Sequence, residues 1–419
     1  MKTITNLRKE TFNSVKVDPF WNTGNEPELE IHKIHAYPAR FPAFITTKAL
    51  QFAREQGLHP EWIADIFCGC GTVAFEAKRN NINFWGCDIN PVATMIAKTK
   101  SRKYDTKHLK KYFSDILISY IKKQDEHGFY ENANERLKYW YEKEEYEDLY
   151  NLKMSIYETI PNNSPYRWFF LCAFSNILKS TSRWLTKSIK PQVDPNKIPK
   201  EVFSSFINQC DFMFDANNEV NFESNPETRI FTKNIITSYV NPGFTDLIIT
   251  SPPYVTSYEY ADLHQLSSLW LGFVDDFRDL RKGSIGSTYH KAIETELSSL
   301  NKVGTQVVKK LSLLDKSKSK AVARYYLDMQ KVVEKCHAAL SESGMALFVI
   351  ADTEYKGVEI ENTRHLAEAL MRYFRRVLVT KRKISNKILP PHRDEIGRFT
   401  SDKSIPKTYG EEFILVGSK

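Results

Sequence analysis

Residues 61–100 restrict the fold more than any other part of the chain. Trp62-Ile63-Ala64-Asp65-Ile66-Phe67 reads as a short apolar strand, and a turn holding Gly69 and Gly71 follows it. Thr72–Arg79 has helical character and stops at Asn80-Asn81. Phe84-Trp85-Gly86-Cys87-Asp88 is a second strand ending on an acid, and Pro91 suits the first turn of a second helix. Strand, glycine turn, helix and strand in that order form the start of a parallel sheet, not a hairpin or a bundle.

The pattern resumes from residue 229. Arg229–Thr232, Asp246–Thr250, Met345–Ala351, Arg376–Val379 and Glu412–Val416 read as strands, the last as an edge or hairpin strand, with helices at 321–340 and 361–374. The count is seven strands with interleaved helices. That predicts an α/β, doubly wound sheet with its ligand site beyond the carboxyl ends of the strands.

Residues 101–228 break the alternation. Leu109, Tyr112, Phe113, Ile116, Leu117, Tyr120 and Ile121 form an amphipathic helical face. A second helical stretch runs over 134–159 and carries an acidic patch at 142–148. Ser164-Pro165 predicts the cap and first turn of a third helix reaching about Trp184. The expected organisation is therefore a polar N-terminal arm (1–30), a catalytic domain (31–100 and 229–419) and a mainly helical insertion (101–228). At 419 residues and 42% hydrophobic content, the chain has enough apolar material for such a domain plus a second module.

Composition excludes some classes. No run of about 18 apolar residues is present, which argues against a membrane-spanning helix. Met1–Arg8 lacks the apolar core of a signal peptide. The six cysteines are sparse, as in a reduced cytosolic protein. Cys68-Gly69-Cys70 lacks the partners for a zinc site, so no metal is expected.

Two motifs carry chemistry. The first is Asp65-Ile66-Phe67-Cys68-Gly69-Cys70-Gly71-Thr72, whose glycines let backbone approach a ligand closely and turn into a helix. Asp88, about twenty residues later, stands where an acid accepts hydrogen bonds from a ribose diol. The turn lacks the Gly-Lys-Ser/Thr of a phosphate cradle and the G-x-G-x-x-G of a dinucleotide site. The second is Thr250-Ser251-Pro252-Pro253-Tyr254. Two prolines after a buried strand fix an extended backbone and remove two amide donors. The carbonyls of Ser251 and Pro252 are then available to an amino group, and Tyr254 offers a ring face for stacking a base.

Taken together, these motifs resemble the S-adenosylmethionine-dependent DNA amino-methyltransferases, and the TSPPY form is similar to that of the cytosine-N4 enzymes. His35-Ala36-Tyr37-Pro38-Ala39-Arg40-Phe41-Pro42 is similar to the family's upstream cofactor segment, and Gly86–Pro91 to its second-strand motif. Glu259–His264 through Trp270-Leu271-Gly272 resembles the stretch after the catalytic tetrapeptide in one subgroup, and 384–394 a loop near the target base. The likeness covers about 31–100 and 229–419. It implies a class I methyltransferase (Rossmann-like) sheet and S-adenosylmethionine as cofactor. It implies that Phe67, Gly69 and Gly71 approach the methionine part, that Asp65 or Thr72 holds its charged groups, and that His35 and Tyr37 cover that end. Asp88 would take the ribose, Ile89 the adenine face and Asn234 the adenine edge. Ser251, Pro252, Pro253 and Tyr254 would hold the target base.

Two departures stand out. Lys233-Asn234 replaces the family's usual Gly-Asp, and the cofactor motif precedes the catalytic one, the reverse of many cytosine-N4 enzymes. The implied reaction is methyl transfer to the N4 amine of a flipped-out cytosine. Adenine N6 on the same fold, RNA methylation and a catalytically silent DNA-binding relative are the alternatives. Carbon-5 chemistry is disfavoured, because no Pro-Cys dipeptide is present. The family's setting implies double-stranded DNA as partner, a cognate restriction endonuclease in a restriction–modification pair, no membrane, and a cytoplasmic, nucleoid-associated place in a prokaryote.

Charge adds a location. Net charge is +8, from 59 basic and 51 acidic residues. Between 372 and 407, eleven basic residues face three acidic ones, which equals the whole excess. Arg382, Lys383, Lys387, Arg393 and Arg398 are the expected phosphate contacts. A second basic run lies at 302–320. Sequence specificity is expected from the insertion, from 275–320, or from both.

Overall fold

The computed structural model describes every residue except 25–26, 186–190, 256–259, 287–296, 385–391, 394–398 and 401–409, and only the backbone of 260, 392–393 and 399–400. Eight strands form one sheet: β1 (Lys2–Thr3), β2 (Trp62–Asp65), β3 (Asn83–Asp88), β4 (Thr228–Thr232), β5 (Thr245–Thr250), β6 (Leu340–Ile350), β7 (Arg376–Lys383) and β8 (Glu411–Ser418). Their order is β1-β7-β8-β6-β5-β2-β3-β4. β4, β3, β2, β5 and β6 pair in parallel. Only β1 and β8 run against the rest. This is the expected doubly wound, mostly parallel, Rossmann-like sheet.

The winding direction reverses between β2 and β5. From β2 the chain builds outward through β3 and β4, then returns to the other side of β2 for β5. A ligand crevice opens beyond the carboxyl ends of strands at such a point. Those ends are Asp65 and Thr250.

Helices cover both faces. Ala43–Glu55 and Thr72–Arg79 pack one apolar layer with Ile63, Ile249, Leu347 and Val416. Lys302–Ser312, Lys316–Ala339 and Asn362–Tyr373 pack the other with Ile248, Phe348 and Leu415. The β8 stretch Phe413–Val416, expected as an edge or hairpin strand, pairs antiparallel with β7 and lies inside the sheet, between β6 and β7. Ile414 and Leu415 are both fully buried, one toward each face, which suits an interior strand.

The N-terminal residues also differ from expectation. Lys2–Thr3 adds an edge strand against β7. Ile4, Phe12, Val15 and Trp21 are buried in the same layers, so isolated apolar residues among polar ones anchor the segment without a visible period.

The insertion holds helices Thr106–Lys123, Glu135–Trp140, Lys143–Thr159, Pro165–Ile177 and Val202–Glu219. The stretch 134–159 is thus two helices, broken at Tyr141. The third helix begins as expected, with the Ser164 hydroxyl capping Tyr166 N–H, but ends at Ile177. Within the acidic patch, Glu147 is buried and accepts the amides of Gly128, Phe129 and Tyr130. The insertion's Phe169, Phe170 and Phe174 share one core with Trp270 and with Val92, Met95 and Ile96 of helix Pro91–Lys100, all from the rest of the chain.

Candidate active site

A cavity of about 910 Å³ opens at the switch point. That is near the upper end of the roughly 300–1,000 Å³ found for small-ligand sites, large enough for more than one planar group. Both sequence motifs line it. Asp65, Phe67, Gly69, Thr72, Asp88, Ile89 and Asn234 stand on its walls, as do Ser251, Pro252, Pro253 and Tyr254.

The glycine turn is shaped by contact. Gly71 has φ +78°, and a Cβ there would sit 2.6 Å from Ala97 Cβ and 2.7 Å from its Cα. Only glycine lets the helices Thr72–Arg79 and Pro91–Lys100 approach this closely. Gly71 therefore shapes the site from behind and does not line the cavity. The buried Thr72 hydroxyl, in the first turn of its helix, has no hydrogen-bond partner among the described residues. A helix start with an unused hydroxyl suits a carboxylate.

Asp88 accepts Gly69 N–H at 3.0 Å on one oxygen and Asn90 N–H at 2.8 Å on the other. Each oxygen keeps a lone pair for a hydroxyl. Desolvation raises its pKa above the ordinary carboxyl value, against the pull of these amides. Asp65 is almost fully buried, and desolvation pushes its pKa up to about 7. Its Oδ1 accepts Phe67 N–H at 3.1 Å and the Thr250 hydroxyl at 2.7 Å. That second bond joins the end of the cofactor strand to the start of the catalytic tetrapeptide.

The tetrapeptide is held in a defined polarity. Ser251 Oγ donates to Val349 carbonyl oxygen at 3.1 Å, so its hydrogen is used and its lone pairs remain as acceptors. The Tyr254 hydroxyl donates to Glu412 Oε1 at 2.9 Å. Glu412 Oε2 in turn accepts from Arg382, with contacts of 2.9 and 2.6 Å.

This corrects the expectation for Arg382. It is 4% exposed and sits directly across the β7–β8 ladder from Glu412, so it braces Tyr254 from within and is not on the surface to meet phosphate. Lys381 likewise pairs with Glu411. Lys383 is exposed. Lys387 and Arg398 lie outside the described residues, as does the Arg393 side chain.

The upstream segment divides. Tyr37 lines the cavity beside Gly69, where a Cβ would touch its ring at 3.6 Å, and it stacks on His264 with centroids 5.0 Å apart. His264 Nδ1 lies 2.9 Å from Asn90 Nδ2. His35, expected at the cofactor, instead turns away. It is buried and bonded through Nε2 to Ser175 Oγ at 2.9 Å, and burial keeps it neutral by lowering its pKa. The backbone bends between the two, so Tyr37 faces the cavity while His35 docks the insertion.

Other cavity residues lie outside the two chemistry-bearing motifs, although Asp262 belongs to the Glu259–His264 stretch. Arg136, from the insertion, lines the cavity with Nε bonded to Gln265 Oε1 at 2.7 Å and its guanidinium over the rings of Trp140 and Phe277. Asp262 and Arg281 pair at 2.6 Å. For Arg136 the sequence hint was Asn134, a cap type directly before a short helix.

No family model matches. The chain is 25% identical over 403 residues to the Type II methyltransferase M.MvaI of Kocuria varians, covering 88% of this chain and 87% of that one. The chain is thus similar to a Type II methyltransferase along most of its length. A second methyltransferase of that type, M.MjaII of Methanocaldococcus jannaschii, is 34% identical over 92 residues, 22% of this chain and 17% of its own. The alignment with the rRNA methyltransferase aviRa from Streptomyces viridochromogenes covers 93% of this chain and 91% of that chain, but at a TM-score of 0.29 and 8% identity it is too slight to assign a fold. S-adenosylmethionine is the methyl donor of this methyltransferase class. The residues fit it: an acid for the diol at Asp88, an apolar wall at Ile89 and an orphaned buried hydroxyl at Thr72.

Proposed function

We propose that the chain is a site-specific DNA amino-methyltransferase acting on the N4 amine of a cytosine turned out of the duplex. The observation that supports this reading is the Thr250–Asp65 hydrogen bond, which joins the Ser251–Tyr254 tetrapeptide to the glycine turn at one cavity.

S-adenosylmethionine supplies an electrophilic methyl group on a sulfonium. The residues of the chain supply position and polarity. Ser251 Oγ, its hydrogen committed to Val349, and the Ser251 and Pro252 carbonyls accept the N–H bonds of the target amine and turn its lone pair toward the donor. Tyr254, braced by Glu412 and Arg382, offers a fixed face on which the base stacks. Asp88 takes the ribose diol. Thr72 and the Gly69 turn receive the methionine end, which Tyr37 covers. Asp65, with its raised pKa, supports the turn and the tetrapeptide together.

DNA enters beside the tetrapeptide. Lys383 and the basic residues at 302–320 are the phosphate contacts in this reading, and Arg136 extends from the insertion toward the target base. The setting is marking of host DNA, with a cognate restriction endonuclease where the chain belongs to a restriction–modification pair.

Ser251→Ala and Tyr254→Ala test the reading. Tritium transfer from labelled cofactor to duplex DNA of random sequence is expected to fall about 100-fold or more in each, while calorimetric cofactor affinity stays within about twofold. Unchanged transfer in both variants would reject the catalytic assignment.

A further inference from the structure

Asn234 stands just beyond β4, on the cavity wall beside Ile89. The family resemblance gives this place to a residue that reads the adenine edge. Here each end of the side-chain amide holds a backbone partner other than the cofactor. Oδ1 accepts Ile236 N–H at 2.9 Å, and Nδ2 donates to the Gly283 carbonyl at 2.9 Å. One neighbour is a backbone donor and the other a backbone acceptor, so the amide has one chemically consistent orientation.

Gly283 belongs to a segment fastened at three points along the cavity rim. Arg281 pairs with Asp262, Gly283 accepts from Asn234, and Gly286 N–H donates to Asp328 Oδ2 at 3.1 Å. At φ +82° Gly283 needs to be glycine, and a Cβ there would lie 3.1 Å from Ile89 Cδ1 and 3.2 Å from Asn234 Nδ2. Gly283, Ser284, Ile285 and Gly286 all line the cavity. The segment is therefore an outer wall set against the carboxyl ends of β3 and β4, where Asp88 and Ile89 stand.

We propose that Asn234 is a positioning residue that latches the 281–286 wall and so closes the adenine end of the cofactor site, and that it does not read the adenine amine. This rests on the cofactor reading above. The latch needs a donor toward Gly283 and an acceptor toward Ile236, which asparagine provides and the family's aspartate does not.

The test is calorimetric binding of S-adenosylhomocysteine and of its 6-oxo (inosine) counterpart to the full chain. Asn234→Asp keeps the shape and the acceptor for Ile236 but sets an oxygen against the Gly283 carbonyl. It is expected to weaken both ligands about tenfold or more and by the same factor. The loss should shrink as pH falls into the carboxyl range, where an added proton restores a donor. Gly283→Ala, judged alongside apo melting, should weaken both ligands in the same way without a pH dependence. Undiminished binding in Asn234→Asp, a penalty confined to the adenine ligand, or undiminished binding in Gly283→Ala would overturn the proposal. Failure of the unaltered protein to bind either ligand would instead remove the cofactor reading on which it rests.

Discussion

The Thr250 hydroxyl donates to the Asp65 carboxylate at 2.7 Å across the point where the sheet reverses its winding. Asp65 closes β2 and opens the glycine turn, while Thr250 closes β5 and opens the tetrapeptide. This buried hydrogen bond thus ties the two halves of the site together, beyond the parallel pairing of β2 with β5. Thr250→Val removes the hydroxyl at nearly constant volume. It should cost about 1–3 kcal/mol in stability and weaken both cofactor binding and transfer, because Asp65 loses a partner while still buried. Thermal unfolding and calorimetry on the same sample check this. A loss in transfer with unchanged cofactor affinity would place Thr250 with the base alone.

Asp65 also makes the apo protein sensitive to pH. Its folded pKa, raised to about 7 by burial, exceeds the ordinary carboxyl value. The folded state therefore holds a proton that the unfolded state releases. Its contribution is fully present below about pH 4 and is lost as pH rises through about 7. Asp65→Asn can still accept from Thr250 and Phe67 but does not titrate. The wild type should lose more stability than the variant between pH 5 and pH 8, by on the order of 1 kcal/mol or more, in urea unfolding. Parallel pH curves would mean that Asp65 is ionised in the folded protein.

Arg382 and Lys383 are neighbours in sequence with opposite expected roles. Arg382→Ala strips the partner from Glu412 and frees Tyr254, so it should lower stability by about 3 kcal/mol or more. The slope of log affinity for DNA against log salt should not change. Lys383→Ala should leave stability alone and reduce that slope by about one. Unfolding curves and a salt titration of DNA binding separate the two. An altered slope in Arg382→Ala would return this arginine to the DNA surface.

Arg136 is the insertion's entry into the cavity. Among the described residues its one hydrogen bond is through Nε to Gln265, and three aromatic rings, Tyr139, Trp140 and Phe277, orient the rest of the guanidinium. Arg136→Ala is expected to lower kcat/KM for DNA about tenfold while cofactor affinity holds. An equal loss of cofactor binding would place this residue at the methionine end.

What the sequence disclosed was local. A strand, a glycine turn and an acid at the next strand end lie within thirty residues, and Ser251–Tyr254 is contiguous, so both motifs and the doubly wound sheet could be read directly. Contacts between distant segments were not readable. Charge summed along the chain made Arg382 a surface cation, but the register of β7 against β8 sets Glu412 opposite it. His35 and Tyr37 share one motif, yet a single bend sends one to Ser175 and the other to the cavity. The Asn234–Gly283 contact spans 49 residues and depends on a glycine in an otherwise unpatterned segment. Helix periodicity over 134–159 hid a break at Tyr141, because both helices bury rings in the same core.

The central claim is decided by the chemical form of the product. Duplex DNA methylated by the purified chain, digested to nucleosides and separated by mass spectrometry, should contain N4-methylcytidine in its deoxy form, and Ser251→Ala should remove it. N6-methyladenine in its place would move the enzyme to the other base on the same fold. Methyl transfer to RNA alone, or cofactor binding with no methylated nucleoside from any DNA, would contradict the account.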